Sequence, residues 1–203
     1  MTTDKNENLQ RAVNYLTKKY GPQGIFKMAS ELPPMRAFPS YIPSLDLTLG
    51  GGFLWGRISI IAGRFASGKT SICYRLIANF QKNVKNGIAI YWDVEKRFNK
   101  ERAEQMGVDV SSLVVFTGLD MTSEFLFTTL RDTIKELRGK NCLFVVDSLA
   151  GTDIEALVEE KIASQTYQSA AKQNNQTVRV ANVLLSPNHL LVFVNQLRDK
   201  MDA

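Results

Sequence analysis

Eight consecutive residues, Gly63-Arg64-Phe65-Ala66-Ser67-Gly68-Lys69-Thr70, constrain this chain more than any other feature. They match the spacing G-x-x-x-x-G-K-[ST], with the apolar run Arg57–Ala62 (RISIIA) before them and a helical stretch, about Gly68–Lys82, after them. That context demands a strand, a tight loop and a helix in direct succession. Glycines let the backbone wrap a phosphate with its amide N–H groups pointing inward. The helix N-terminus adds partial positive charge. Lys69 is then expected on the β- and γ-phosphates, and the Thr70 hydroxyl on Mg²⁺. Cys73, one helical turn beyond Thr70, reads as a small buried apolar residue.

The same alternation continues along the chain. Apolar runs at Ile88–Asp93 (IAIYWD), Leu113–Thr117, Cys142–Asp147 (CLFVVD) and Leu190–Gln196 (LLVFVNQ) read as four more strands. A helical stretch near Lys100–Gln105 lies between the second and third. Thr122 is a plausible N-cap for the next helix, with Leu126, Leu130, Ile134 and Leu137 on one face. A long polar helical stretch covers roughly Asp153–Leu185. Continuous apolar strands separated by helices predict an α/β fold with a mostly parallel sheet covered on both faces. The 203 residues, 44% hydrophobic and 22% charged, suffice for one sizeable core. No apolar run is long enough to span a membrane. The polar N-terminus lacks a secretory signal, and two cysteines alone, Cys73 and Cys142, fit a reducing compartment. A cytoplasmic location is expected, with no membrane partner.

Before the core comes an arm. Leu9, Val13, Leu16 and Tyr20 fall on one face of a helix over residues 6–20, which Gly21-Pro22 stops. Pro33, Pro34, Pro39 and Pro43 mark a linker. The expected division is an arm with linker over residues 1–40 and a core over 41–203. The arm's apolar stripe needs a cover, from its own core or from a neighbouring subunit.

Charge is uneven. The formal net charge is +5. Residues 41–100 carry nine basic and three acidic side chains, whereas residues 101–203 carry ten and fourteen. A positive field around the glycine-rich loop suits a polyanion, either nucleotide phosphates or nucleic acid; the plainer reading is a basic solvated surface.

In open parallel sheets ligands bind at the carboxyl ends of the strands. The second strand ends at Asp93-Val94-Glu95, the fourth at Asp147-Ser148 and the fifth at Asn195-Gln196. Asp147 after four apolar residues looks like a Walker B aspartate that holds Mg²⁺ through water, or else a capping residue. Glu95 is placed to activate a water as general base, or is a solvated loop carboxylate beside Lys96 and Arg97. Gln196 would hydrogen-bond a γ-phosphate, or is a polar strand end. His189 reads as a loop or strand-edge histidine without metal-ligand spacing.

These residues carry a resemblance to the RecA family, the bacterial strand-exchange recombinases and their phage relatives. It runs through LQRAVNYLTKKYGPQGI, SLDLTLGGGFLWGRISIIAG, the phosphate loop, YWDVEKRFNKERAEQMGVD, LFVVDSLA and LVFVNQLRDKM, in one order over nearly the whole chain. The resemblance implies a RecA-type P-loop NTPase fold with ATP and Mg²⁺ as ligands. It implies Glu95 as catalytic glutamate, Asp147 as Walker B aspartate and Gln196 as the sensor coupling ATP state to DNA binding. It also implies single- and double-stranded DNA as partners. The N-terminal helix would be the arm through which subunits join into a helical filament. Asn99 matches an aspartate near the adenine, and Arg102 stands where the family has a stacking tyrosine; an Arg plane also stacks on a base. Arg64, Phe65 and Ala66 replace the usual Pro-Glu-Ser and still offer backbone N–H groups. The segment Asp153–Gln168 matches the first DNA loop but holds Asp153, Glu155, Glu159 and Glu160 against Lys161, a balance that weakens phosphate contacts. Tyr167 there stacks on a base or belongs to a helix surface or core. The resemblance implies a second DNA loop, further strands and a small C-terminal domain past Gln196, and a shortened piece or a natural short variant is the expectation for this chain. The expected function is an ATP-dependent recombinase, with weak turnover for these 203 residues. The alternatives are a nucleotide-binding mediator or assembly module, and another RecA-type motor such as a hexameric helicase.

Overall fold

The structure is a computed structural model describing residues 2–21, 29–32, 34–118, 121–149 and 175–197. It comprises two compact units, residues 1–35 and residues 36–203. The first unit holds α1 (Thr2–Tyr20), which starts earlier than the periodicity predicted. Gly21 closes it in the left-handed conformation at φ 72°, its N–H bonding the Thr17 carbonyl at 2.9 Å. Leu9 and Tyr20 on its apolar stripe are exposed, while Val13 and Leu16 are half-buried.

The second unit is built on a five-stranded parallel sheet. Its strands are β3 (Arg57–Gly63), β4 (Ile88–Asp93), β5 (Leu113–Phe116), β6 (Cys142–Asp147) and β7 (His189–Gln196), in the order β3-β7-β6-β4-β5. All five expected strands are present; β5 stops one residue earlier and β7 starts one residue earlier than the apolar runs suggested. Strand side chains alternate between faces, and both faces are covered. On one face Leu143, Val145, Val192 and Val194 pack with Cys73, Leu76, Ile77 and Phe80 of α3 (Lys69–Asn83). On the other, Phe144, Val146 and Phe193 pack with Leu126, Leu130 and Ile134 of α5 (Ser123–Glu136). The expected cap of α5 is in place, the Thr122 hydroxyl accepting from the Phe125 N–H at 3.1 Å. The short helix α4 (Lys100–Gln105) follows β4. Residues 175–184 are helical, and the rest of the expected polar helical stretch, including the segment matched to the first DNA loop and Tyr167, lies outside the described residues.

Part of the proline-rich stretch read as linker belongs to the core unit. Ala37–Phe38 forms β1, paired antiparallel with β2 (Phe53–Leu54), and Phe38 is buried against Trp55 and Phe80. Between them lies α2 (Pro43–Thr48), with Pro43 at its start. The Asp46 carboxylate accepts from the Ser40 N–H and hydroxyl at 2.7 Å each and from the Tyr41 N–H at 2.9 Å. Of the two readings of His189, loop or strand edge, the strand edge holds. The residue opens β7, fully buried, edge-on to Phe144.

Candidate nucleotide site

Parallel pairing sets the strand ends in register. Gly63 pairs with Gln196, and Asp93 with Asp147. The polar residues that interrupt the apolar runs therefore gather on one rim of the sheet, beside the N-terminus of α3. They line a cavity of about 370 Å³. Of the residues expected to bind or turn over nucleotide, Phe65, Ala66, Ser67, Gly68, Lys69 and Thr70 border it from the loop and the start of α3; Glu95, Asp147 and Gln196 border it from the other strand ends, and Asn99 and Arg102 from the start of α4. Gly63 and Arg64, also expected there, do not border the cavity; their carbonyls accept from Lys69 Nζ at 3.0 and 2.7 Å.

The loop has the backbone that a phosphate cradle requires. Gly68 adopts φ 86° as N-cap of the 15-residue α3 and offers no side-chain acceptor to its first-turn amides, and residues 65–70 border the cavity. A Cβ at Gly63 would stand 2.6 Å from Ser67 Oγ, too close without a shift of that side chain. Ala66 takes a positive φ of 56°, unusual for a residue with a Cβ.

Asp147 is the electrostatic centre. It is 8% exposed, and its Oδ2 accepts from Thr70 Oγ1 at 2.7 Å and from Tyr91 OH at 2.8 Å. Burial raises its pKa above the usual carboxylate value; the Thr70 and Tyr91 hydrogen bonds oppose that, and nearby Glu95 and Asp93 add to it. A divalent cation would relieve the same burden. The Thr70 hydroxyl and the Asp147 carboxylate are hard oxygen donors at hydrogen-bond distance from each other, a donor set that fits Mg²⁺ shared with phosphate oxygens. Among the described residues no cluster of three or more His, Cys, Asp or Glu side chains is placed to hold a metal unaided. Burial pushes the Tyr91 hydroxyl well above its ordinary range, so it remains a donor to Asp147. Cys73 is fully buried as expected, and burial raises its thiol well above the usual value.

Glu95 lies across the rim from Lys69. Its Oε1 accepts from Ser148 Oγ and, at 2.7 Å, from Gln196 Nε2; its Oε2 pairs with Arg97 at 3.2 Å. The expected base and the expected sensor are thus in direct contact. Asn99 caps α4, its Oδ1 accepting from the Arg102 N–H at 2.8 Å, and Arg102 Nη2 donates to Ser71 Oγ at 2.8 Å. Both residues border a second hollow that includes Glu101, Gln105 and Met106.

The sequence named Asp93 and Ser148 only as strand-end residues and Arg97 only as a neighbour of Glu95, and it assigned no role to any of them or to Tyr91. Tyr91 was hidden inside an apolar run, where a tyrosine reads as core. Asp93 is 3% exposed and accepts from the N–H groups of Arg97 at 2.8 Å and Phe98 at 2.9 Å, closing the turn after β4. Its signal was present: a carboxylate at the end of a buried strand, like Asp147.

Fold and phosphate loop together define a RecA-type α/β P-loop NTPase fold. The model for the RecA N-terminal domain matches residues 7–203. The chain is 31% identical to Protein RecA of Saccharopolyspora erythraea over 206 aligned positions, covering 98% of this chain and 57% of that protein. It is also 31% identical to Protein RecA of Mesomycoplasma hyopneumoniae (98% of this chain, 59% of the relative) and of Cutibacterium acnes (98% and 57%). The chain belongs to the RecA family, and it spans a little under three-fifths of the length of these relatives.

Proposed function

We propose that this chain is the nucleotide-binding core of an ATP-dependent DNA recombinase. The observation that carries the reading is the convergence of Lys69, Thr70, Glu95, Asp147 and Gln196 on one cavity, from three separate strand ends and a helix N-terminus. The loop amides and Lys69 bind the β- and γ-phosphates. Thr70 and Asp147 hold Mg²⁺, which supplies charge neutralisation to the phosphate oxygens when bound. Glu95 takes the proton of a water whose oxygen bonds to the γ-phosphorus, while the bond from that phosphorus to the β-phosphate oxygen breaks and ADP leaves. Gln196, now bonded to Glu95, exchanges that carboxylate for the γ-phosphate and so reports its presence. Asn99 and Arg102 flank the base. Single- and double-stranded DNA are the partners, and α1 joins subunits into a filament.

The test is ATP turnover with and without single-stranded DNA, with Lys69→Ala as control. The reading expects turnover stimulated by DNA and abolished in Lys69→Ala. Glu95→Gln is expected to keep ATP binding and to lose on the order of 100-fold or more in rate. Nucleotide binding without turnover would make the chain a mediator or assembly module. Unchanged turnover in Lys69→Ala would remove the site assignment.

A further inference from the structure

Arg97 has no part in the chemistry above, yet its side chain borders the same cavity. Its backbone is pinned because the Asp93 carboxylate accepts its N–H and that of Phe98. Its guanidinium reaches in two directions. Nη1 stands 3.2 Å from Glu95 Oε2, and the group lies 5.7 Å from the centre of the Phe65 ring. Glu95 is the candidate base after β4, and Phe65 belongs to the phosphate loop after β3. Arg97 therefore bridges the two walls between which a nucleotide's phosphates are placed by the reading above.

The contacts that hold it are exchangeable. The Arg97 side chain is 64% exposed, so its ion pair is screened by water. Phe65, 72% exposed, offers a ring face on which a guanidinium can rest without being trapped. A terminal phosphate carries more negative charge than one carboxylate and presents oxygens that match the guanidinium fork. It is therefore the stronger partner for the group, and release from Arg97 would leave Glu95 Oε2 free to face water.

We propose that Arg97 is a terminal-phosphate cation supplied by the same chain, resting on Glu95 and Phe65 and moving to the γ-phosphate of a bound nucleoside triphosphate. The proposal rests on the nucleotide reading of the cavity. A diphosphate lacks the group that Arg97 takes, so Arg97 makes the site discriminate triphosphate from diphosphate.

The test measures binding of fluorescent ADP and of a non-hydrolysable fluorescent ATP analogue, with Mg²⁺, to the 203-residue chain and to Arg97→Ala and Arg97→Lys. Matched thermal melts confirm folding of the variants. Arg97→Ala is expected to weaken the triphosphate analogue on the order of 10- to 100-fold, the loss of charge-assisted hydrogen bonds, and ADP by less than about threefold. Arg97→Lys recovers part of the loss. Equal weakening of both nucleotides, or of neither, overturns the role of Arg97 while leaving the nucleotide site standing. A folded parent chain that binds neither nucleotide overturns the nucleotide reading itself, and this proposal with it.

Discussion

Tyr91 and His189 show how single buried polar groups set conditions on this protein. The Tyr91 hydroxyl donates to a carboxylate that burial pushes toward its neutral form. Replacing it with Phe removes a charge-assisted bond. Tyr91→Phe is expected to cost about 1.5–3 kcal/mol in urea unfolding at pH 7. The loss shrinks in acid, where Asp147 is protonated and the bond to its charged form counts for less. His189 is buried and neutral. Its Nδ1 accepts from the Ser186 N–H at 3.3 Å, and its Nε2 stands 3.1 Å from the Leu137 carbonyl as the donor. A second proton at Nδ1 would face an N–H. Burial accordingly lowers the pKa below the ordinary 6.5. Between its folded value and 6.5 the unfolded chain binds more protons, so stability falls as pH drops through that window and is full above it. The slope from this group is positive, and one proton sets its ceiling at about 1.4 kcal/mol per pH unit. His189→Asn should be less stable at pH 7.5 and should lack this part of the slope; parallel wild-type and variant curves from pH 7.5 to 5 would remove His189 as its source.

α5 contributes Leu126, Leu130 and Ile134, all within 1% of full burial. Leu130→Ala is expected to destabilise by about 2–5 kcal/mol, read as a lower urea midpoint at unchanged slope. Gly52 holds φ 123°, and a Cβ there would stand 2.2 Å from the Phe38 carbonyl oxygen. Both backbone strain and a collision with main chain oppose any side chain. Gly52→Ala should cost about 2 kcal/mol or more and loosen the β1–β2 pair. The periodic elements were legible in advance because their signal is local: the apolar face of α5, its Thr122 cap and the apolar runs of β4, β6 and β7. The small sheet and α2 were not. Two-residue strands have no periodicity to read, and the four prolines suggested linker although Pro43 at a helix start is itself a favourable signal.

For the whole molecule, the N-terminal unit and the core unit carry separable expectations. The stripe Leu9, Val13, Leu16 and Tyr20 is proposed to dock on a neighbouring copy. Leu9→Asp with Leu16→Asp should lower the sedimenting mass at high protein concentration while leaving nucleotide affinity and the core melt unchanged. Persistence of the same assemblies in that variant would assign self-association to the core instead. Among the described residues no helix is long and apolar enough to cross a membrane.

From its sequence alone this chain was bound to a strand, a phosphate-wrapping loop and a helix at residues 57–83, and to a layered α/β core, because those signals lie within one or two turns of chain. The strand-end positions of Glu95, Asp147 and Gln196 were readable as polar residues breaking or following an apolar run. Tertiary structure alone decided who meets whom. Tyr91 reaches Asp147 across 56 residues, and Gln196 reaches Glu95 across 101. Those contacts depend on the order β3-β7-β6-β4-β5, which sets strands distant in sequence side by side. The seat of Arg97 between Glu95 and Phe65 depends on it too. Local propensity carries no record of that order, since it is chosen by the joint burial of both sheet faces.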